Sequence, residues 1–217
     1  NSVLTHQLGL GQAGIYGYAV MLSNIVTMVQ GGFASFWGPY MFENYKTQQA
    51  RIKRVHNYLN LIVLCFFALL VAFEDVLFFI LRQYRDAQPI FPLMMLSAVF
   101  TILCETTVYG NAIARRPVFD TIGIALSFAG NLGLVLLLAP RFGLVGAAAA
   151  LAAANLFMFV MRTLTAQRLY QSIATPGKTV LAVVAAIALA AAGTALSHAF
   201  VPKLLVSLGF ILFYILL

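Results

Sequence analysis

Apolar residues in this chain do not recur in the short periods of water-soluble helices and strands; they come in long, nearly unbroken runs. A helix needs about 20 apolar residues to cross the hydrocarbon of a bilayer. Seven segments meet or approach that length, at 14–41, 58–81, 90–114, 118–139, 144–165, 179–200 and 203–217. They are too long and too uniform for the alternating strands of a membrane barrel. The pattern predicts an all-α fold: a polytopic membrane bundle of about seven transmembrane spans in a single lobe. Glu74 and Asp75 fall inside the second run, so its hydrocarbon part is expected to end there, with VLFFIL at the interface.

The fourth and fifth runs read continuously as LLLAPRFGLVGAAAALAAANLFMFVMR, from Leu136 to Arg162. Pro140 and Gly143 are breaks that two helices joined by a tight turn require. The ladders Gly143–Ala147 and Gly146–Ala150–Ala154 suit close helix approach. Pro39, after SFWG, is expected to close the first span. Trp37 and Tyr40 suit the membrane interface.

Composition agrees with the pattern. The 217 residues are 62% hydrophobic and only 9% charged, where soluble domains carry roughly 25% charged residues. The net charge of +7 lies almost wholly between apolar runs, so it marks orientation rather than a nucleic-acid partner. The first, third and fifth loops hold nine basic residues, including Lys46, Arg51, Lys53, Arg54, Arg115 and Arg116; the other loops hold four. By the positive-inside rule the nine face the cytoplasm. The chain starts with Asn and its last run is cut short, as expected of part of a longer protein. If the intact protein begins in the cytoplasm, an odd number of spans precedes this chain; seven would make fourteen.

Polar residues within spans are costly and must face protein or water. In the first span Ser23, Thr27 and Gln30 share a face, with Asn24 beside it. Ser97, Thr101, Glu105 and Tyr109 step by four along the third; Gly123, Ser127 and Asn131 do so along the fourth; Ala148, Asn155 and Arg162 step by seven along the fifth. Residues so spaced lie on one side of a helix, so Asn24, Thr27, Gln30, Glu105, Asn131, Asn155 and Arg162 are candidates to line a substrate path. Glu105, the acid deepest in a span, is either a titrating or substrate-contacting group or a hydrogen-bonding link between helices. The same two readings hold for Asn131 and Asn155, while Arg162 could instead snorkel.

Cys65 and Cys104 sit in apolar runs with no metal or disulfide spacing, and His6, His56 and His198 are scattered. There is no Ser-His-Asp order, phosphate loop or dinucleotide turn. Neither an enzyme, a metal nor a cofactor is expected.

The order of these features resembles polysaccharide-biosynthesis flippases of the multidrug/oligosaccharidyl-lipid/polysaccharide exporter superfamily. A "G-hydrophobic-Y" motif opening a span is matched by Gly14 and Tyr16, and a "W-x-P" motif closing it by Trp37 and Pro39. LAPRFGLVGAAAALAAANLF is similar to the family's hairpin, through Pro140, Gly143 and Gly146, and VYGNAIARRPVF to its short basic turn. The likeness covers about 8–170. It implies one lobe, the C-terminal, of a fourteen-span transporter resembling drug/cation antiporters, with two lobes rocking around a central cavity. The implied substrate is an undecaprenyl-diphosphate-linked oligosaccharide flipped across the cytoplasmic membrane for surface polysaccharide. The implied partners are membrane lipid, that substrate and an N-terminal lobe of the same protein. A drug or metabolite cation antiporter and a lipid II flippase are alternatives. A membrane polysaccharide polymerase fits less well, because the outward loops are short; a scaffold would leave the polar stripes without a purpose.

Overall fold

A computed structural model describes residues 9–197 and 199–217, which are helical apart from short connections, with no strand among them. The order is α1 (Leu10–Asn44), α2 (Gln49–Ile80), a 3₁₀ segment (Arg82–Ile90), α3 (Phe91–Cys104), α4 (Tyr109–Ile113), α5 (Val118–Leu169), α6 (Pro176–Ala195) and α7 (Phe200–Leu216). Five stretches are long and apolar enough to cross a membrane: α1, α2, Arg82–Ile113, α5 and α6. At 1.5 Å per residue the 32 residues of α2 extend about 48 Å, beyond a hydrocarbon core of about 30 Å. Large side chains such as Met28, Phe79, Phe128 and Leu205 are exposed on the outside of the bundle. A water-soluble protein does not present apolar surface on this scale. The molecule is a helical membrane bundle.

The packing follows from where bulk and smallness alternate. The stretch Arg82–Ile113 is the axis and the most deeply buried of the five, and α1, α2, α5 and α6 pack against α3 within it. Small residues set the closest approaches. A methyl on Gly193 of α6 would lie 2.8 Å from Val71 Cγ1 of α2 and 3.0 Å from Pro92 Cγ of α3. One on Gly110 of α4 would lie 2.2 Å from the Ala166 carbonyl oxygen. In lipid, where apolar surface gains little from burial, such tight van der Waals contact is a principal source of association.

The 52-residue stretch α5 is a helical hairpin in substance. At Gly143 the backbone turns to φ 58°, ψ −138°, a conformation essentially confined to glycine. The arms then run antiparallel: Ser127 Oγ donates to the Ala154 carbonyl at 2.7 Å, and a methyl on Gly146 would lie 2.3 Å from the Leu138 carbonyl oxygen. The expected ladder residues Ala147, Ala150 and Ala154 are buried.

Two expectations are corrected. Pro39 does not end α1, which continues to Asn44. The last turns are held by Trp37 and Met41 packed with Ile52, and by a polar chain in which Tyr40 donates to Gln48 at 2.8 Å, Gln48 to Asn44 at 2.7 Å and Asn44 to the Tyr40 carbonyl at 3.0 Å. These contacts offset the helix bond that proline removes. Trp37 is buried among these contacts. The span expected over 90–114 is also interrupted, with α3 stopping at Cys104 and turns intervening before α4. The hydroxyls of Thr106 and Thr107 bond back to the carbonyls of Leu103 at 3.2 Å and Cys104 at 3.1 Å, an alternative to the regular ladder that Thr readily supplies.

The basic loops gather at one end. Tyr170 donates to the Tyr45 carbonyl at 2.9 Å and Gln49 to the Gln171 carbonyl at 3.3 Å, joining the α1–α2 and α5–α6 connections. Tyr109, at the start of α4, meets the Phe42 ring edge-on at 5.9 Å.

Candidate functional site

The polar stripes of α1, α3 and the second arm of α5 meet in one seam. Midway along it Asn155 Nδ2 donates to Ser97 Oγ at 2.5 Å. Two turns further along, Gln30 Nε2 of α1 donates to Glu105 Oε1 at 2.5 Å. Glu105 stands where α3 gives way to turns and is partly accessible. Nearer the basic end, Arg162 Nε is 3.0 Å from Asp120 Oδ1, each side chain about one-fifth exposed. Asp120 also accepts from Asn111 Nδ2 at 2.9 Å, and Asn111 reaches Thr165 Oγ1 at 3.1 Å. Beside this row, Thr107, in the turns after α3, and Thr163 of α5 share a hydrogen bond of 2.7 Å.

Local sequence explains the placement. Asp120 lies in the first turn of α5, where a carboxylate complements the helix dipole. Arg162 sits far along the returning arm, so the hairpin reversal brings the two together. Gly123 leaves room for the stem of Arg162: a methyl there would lie 3.2 Å from its Cγ. The result is a cation held at its edge by one carboxylate, with a second acid and an amide behind it. Such a set can engage an anion through the guanidinium and hydroxyl or amide groups along the rest of the seam.

The candidate residues divide. Gln30 pairs with Glu105, Asn155 with Ser97 and Arg162 with Asp120. Thr27 instead bonds the Asn24 carbonyl of its own helix at 2.9 Å, and Asn24 is exposed on α1. Asn131 is half-buried with its Oδ1 enclosed and without a hydrogen-bond partner. The stripe it belongs to packs hairpin arm on arm, because Gly123 and Ser127 face Arg162 and Ala154. Among the motif residues, Gly14 is exposed, Tyr16 and Gly146 are buried, and Gly143 makes the hairpin turn just after Pro140.

Three features escaped the sequence reading. Asp120 is the partner of Arg162; its spacing of three and seven from Gly123 and Ser127 puts it on their face and could have revealed it. His56 is fully buried between Thr106 at 2.8 Å and Thr179 at 3.2 Å. Glu74, expected at the interface, is fully buried against Lys203. His6 and His198 lie outside the described residues. No group of three His, Cys, Asp or Glu among the described residues could hold a metal. The chain matches no family model, no curated protein and no solved structure.

Proposed function

We propose that this chain is one lobe of a transporter that flips an undecaprenyl-diphosphate-linked oligosaccharide across the cytoplasmic membrane by alternating access. The observation that carries the reading is the seam: an arginine, two acids and neutral amides and hydroxyls from α1, α3 and α5, lined up in an otherwise apolar bundle. Intramembrane ionisable groups are expensive and mark substrate paths by default. Hydroxyl-rich sugar calls for neutral donors and acceptors such as Gln30, Asn155 and Ser97. A diphosphate calls for Arg162, whose planar donors suit phosphate.

The rest of the reading follows the same chemistry. The chain contributes seven spans, with α5 counted as two and α7 as the last. The end bearing Lys46, Arg51, Arg54, Arg115 and Arg116 faces the cytoplasm, where an anionic carrier would be collected. The lipid tail stays in the bilayer. An apolar groove between α1, α2 and α3, of about 430 Å³ and lined by Val26, Phe33, Phe66, Met95 and Val99, borders Gln30 and suits an isoprenoid chain. A second lobe, supplied by the rest of the same protein, closes the cavity and rocks against this one.

The test is complementation in cells lacking the intact protein. Glu105→Ala and Arg162→Ala each lower surface polysaccharide at least about tenfold, the equivalent of about 1.4 kcal/mol, at normal membrane expression. Full restoration by both variants would contradict the assignment. Loss of drug resistance in place of polysaccharide would favour the antiporter, for which Glu105 would be the coupling acid.

A further inference from the structure

We propose that Glu74 is a proton-binding site that controls how α7 is fastened to α2. It lies at the end of the bundle remote from the basic loops, 25 residues after Gln49 and so about 37 Å along α2. Lys203 Nζ of α7 is 2.6 Å from Glu74 Oε1 and also contacts Asp75 Oδ2. Gln88 Nε2, from the 3₁₀ segment, donates to Asp75 Oδ1 at 2.7 Å and to the Ser197 carbonyl at 2.6 Å. Glu74 and Lys203 are 0% and 1% exposed, while Asp75 is 25% exposed. Three elements and the α6–α7 connection therefore converge on one buried polar knot, and Asp75 is its contact with the outside.

The charge count is odd. Two carboxylates and one ammonium leave the knot at −1 when both acids are ionised. A buried, uncompensated charge is strongly unfavourable, and such groups neutralise instead. Among the described residues nothing else supplies the missing positive charge. Arg82 and Arg85 of the 3₁₀ segment are exposed, with Arg82 over the Phe79 ring at 4.6 Å, and Asp86 is exposed beside them. Helix α3 carries no charged residue, and the single charge of α6, Lys178, is at its opposite end. Independently, Glu74 Oε2 is enclosed and has no hydrogen-bond partner. That oxygen is where a neutralising cation is wanted.

A proton fits better than sodium. The ammonium of Lys203 already fills the position between the carboxylates, so a metal ion would face it directly and be repelled. A proton arriving from water through Asp75 adds to the free oxygen of Glu74, makes a neutral carboxyl and leaves Lys203 paired with Asp75, for a net charge of zero. Losing it strengthens the Lys203–Glu74 pair and leaves the excess negative charge. The proton thus changes the strength of the one buried ionic tie between α2 and α7. This inference does not depend on what the chain carries.

The test uses the chain in lipid bilayers with [¹³C]carboxyl-labelled glutamate, followed by magnetic resonance across pH. There are three glutamates, Glu43, Glu74 and Glu105. In the Glu43→Gln, Glu105→Gln variant only Glu74 reports, so assignment does not require that a Glu74 variant fold. We expect one reversible carboxyl titration, unchanged when sodium replaces potassium at fixed pH, and lower amide protection in α7, corrected for the intrinsic exchange rate, on the acid side. In Glu74→Gln the protection of α7, taken as the ratio of intrinsic to observed exchange rate, becomes independent of pH. A Glu74 signal that never moves while the bundle stays folded, or one that moves with sodium, would overturn the proton site. Titration without any change in α7 protection would overturn its control of the helix.

Discussion

Asp120 changes what Arg162 is. Taken along the sequence, Arg162 is a cation near a membrane end, free to snorkel; in the bundle it is anchored 3.0 Å from Asp120 and its stem lies over Gly123. Spacing along one helix exposes a stripe, but not which residue on another helix answers it, because that depends on how the hairpin folds back. Glu105 shows the legible side: its spacing marked it, and it lies 2.5 Å from Gln30, which the same argument had marked on α1. Glu74 shows the illegible side, since its partner Lys203 is 129 residues away. Small residues are as informative as polar ones. A methyl on Gly110 would collide with the backbone of Ala166 at 2.2 Å, and backbone cannot rotate aside as a side chain can. Gly110→Ala should cost about 1–3 kcal/mol and lower the thermal midpoint in detergent. A midpoint equal to that of the native chain would show that α4 and α5 are not so close.

At the scale of elements, long apolar runs identified the helices, and Pro140 with Gly143 located the hairpin turn, because chain reversal in a membrane needs a residue that can leave helical geometry. Pro39 misled for the complementary reason: proline weakens a helix locally, and Trp37, Met41 and Ile52 outweigh it through contacts distant in sequence. The break after Cys104 has no glycine or proline to announce it. The end of α4 is instructive in the same way. Arg116 N donates to the Asn111 carbonyl at 2.8 Å and Arg115 N to that of Ala112 at 3.0 Å, the paired bonds of a Schellman cap. The left-handed position, usually glycine, is held by Arg115 at φ 56°, at a cost of roughly 1–2 kcal/mol. Arg115→Gly should therefore raise the thermal midpoint, by the equivalent of about 1 kcal/mol. A lower midpoint would mean that the Arg115 side chain makes contacts that outweigh its backbone strain.

For the whole molecule, one physical fact organises the rest: the exterior is hydrocarbon-compatible and the polar groups turn inward. The apolar exterior was legible from composition and run length; the inward turn of Gln30, Glu105 and Asn155 was legible only from their spacing, and Asn24, marked beside them, is exposed. Orientation adds a prediction. A cysteine in place of Arg116, with Cys65 and Cys104 replaced by alanine, should resist an impermeant thiol reagent applied to intact cells and react once the membrane is opened. Prompt labelling from outside would invert the bundle. The most direct test of the central claim compares two solvents at two faces. A nitroxide placed in turn at Phe128, Phe79 and Leu205, all well exposed on the exterior, should be relaxed by dissolved oxygen, which concentrates in lipid. A nitroxide at Gln30 or Asn155 should be relaxed instead by a water-soluble nickel chelate. Oxygen-dominated relaxation at the seam, with nickel access on the exterior, would contradict the account.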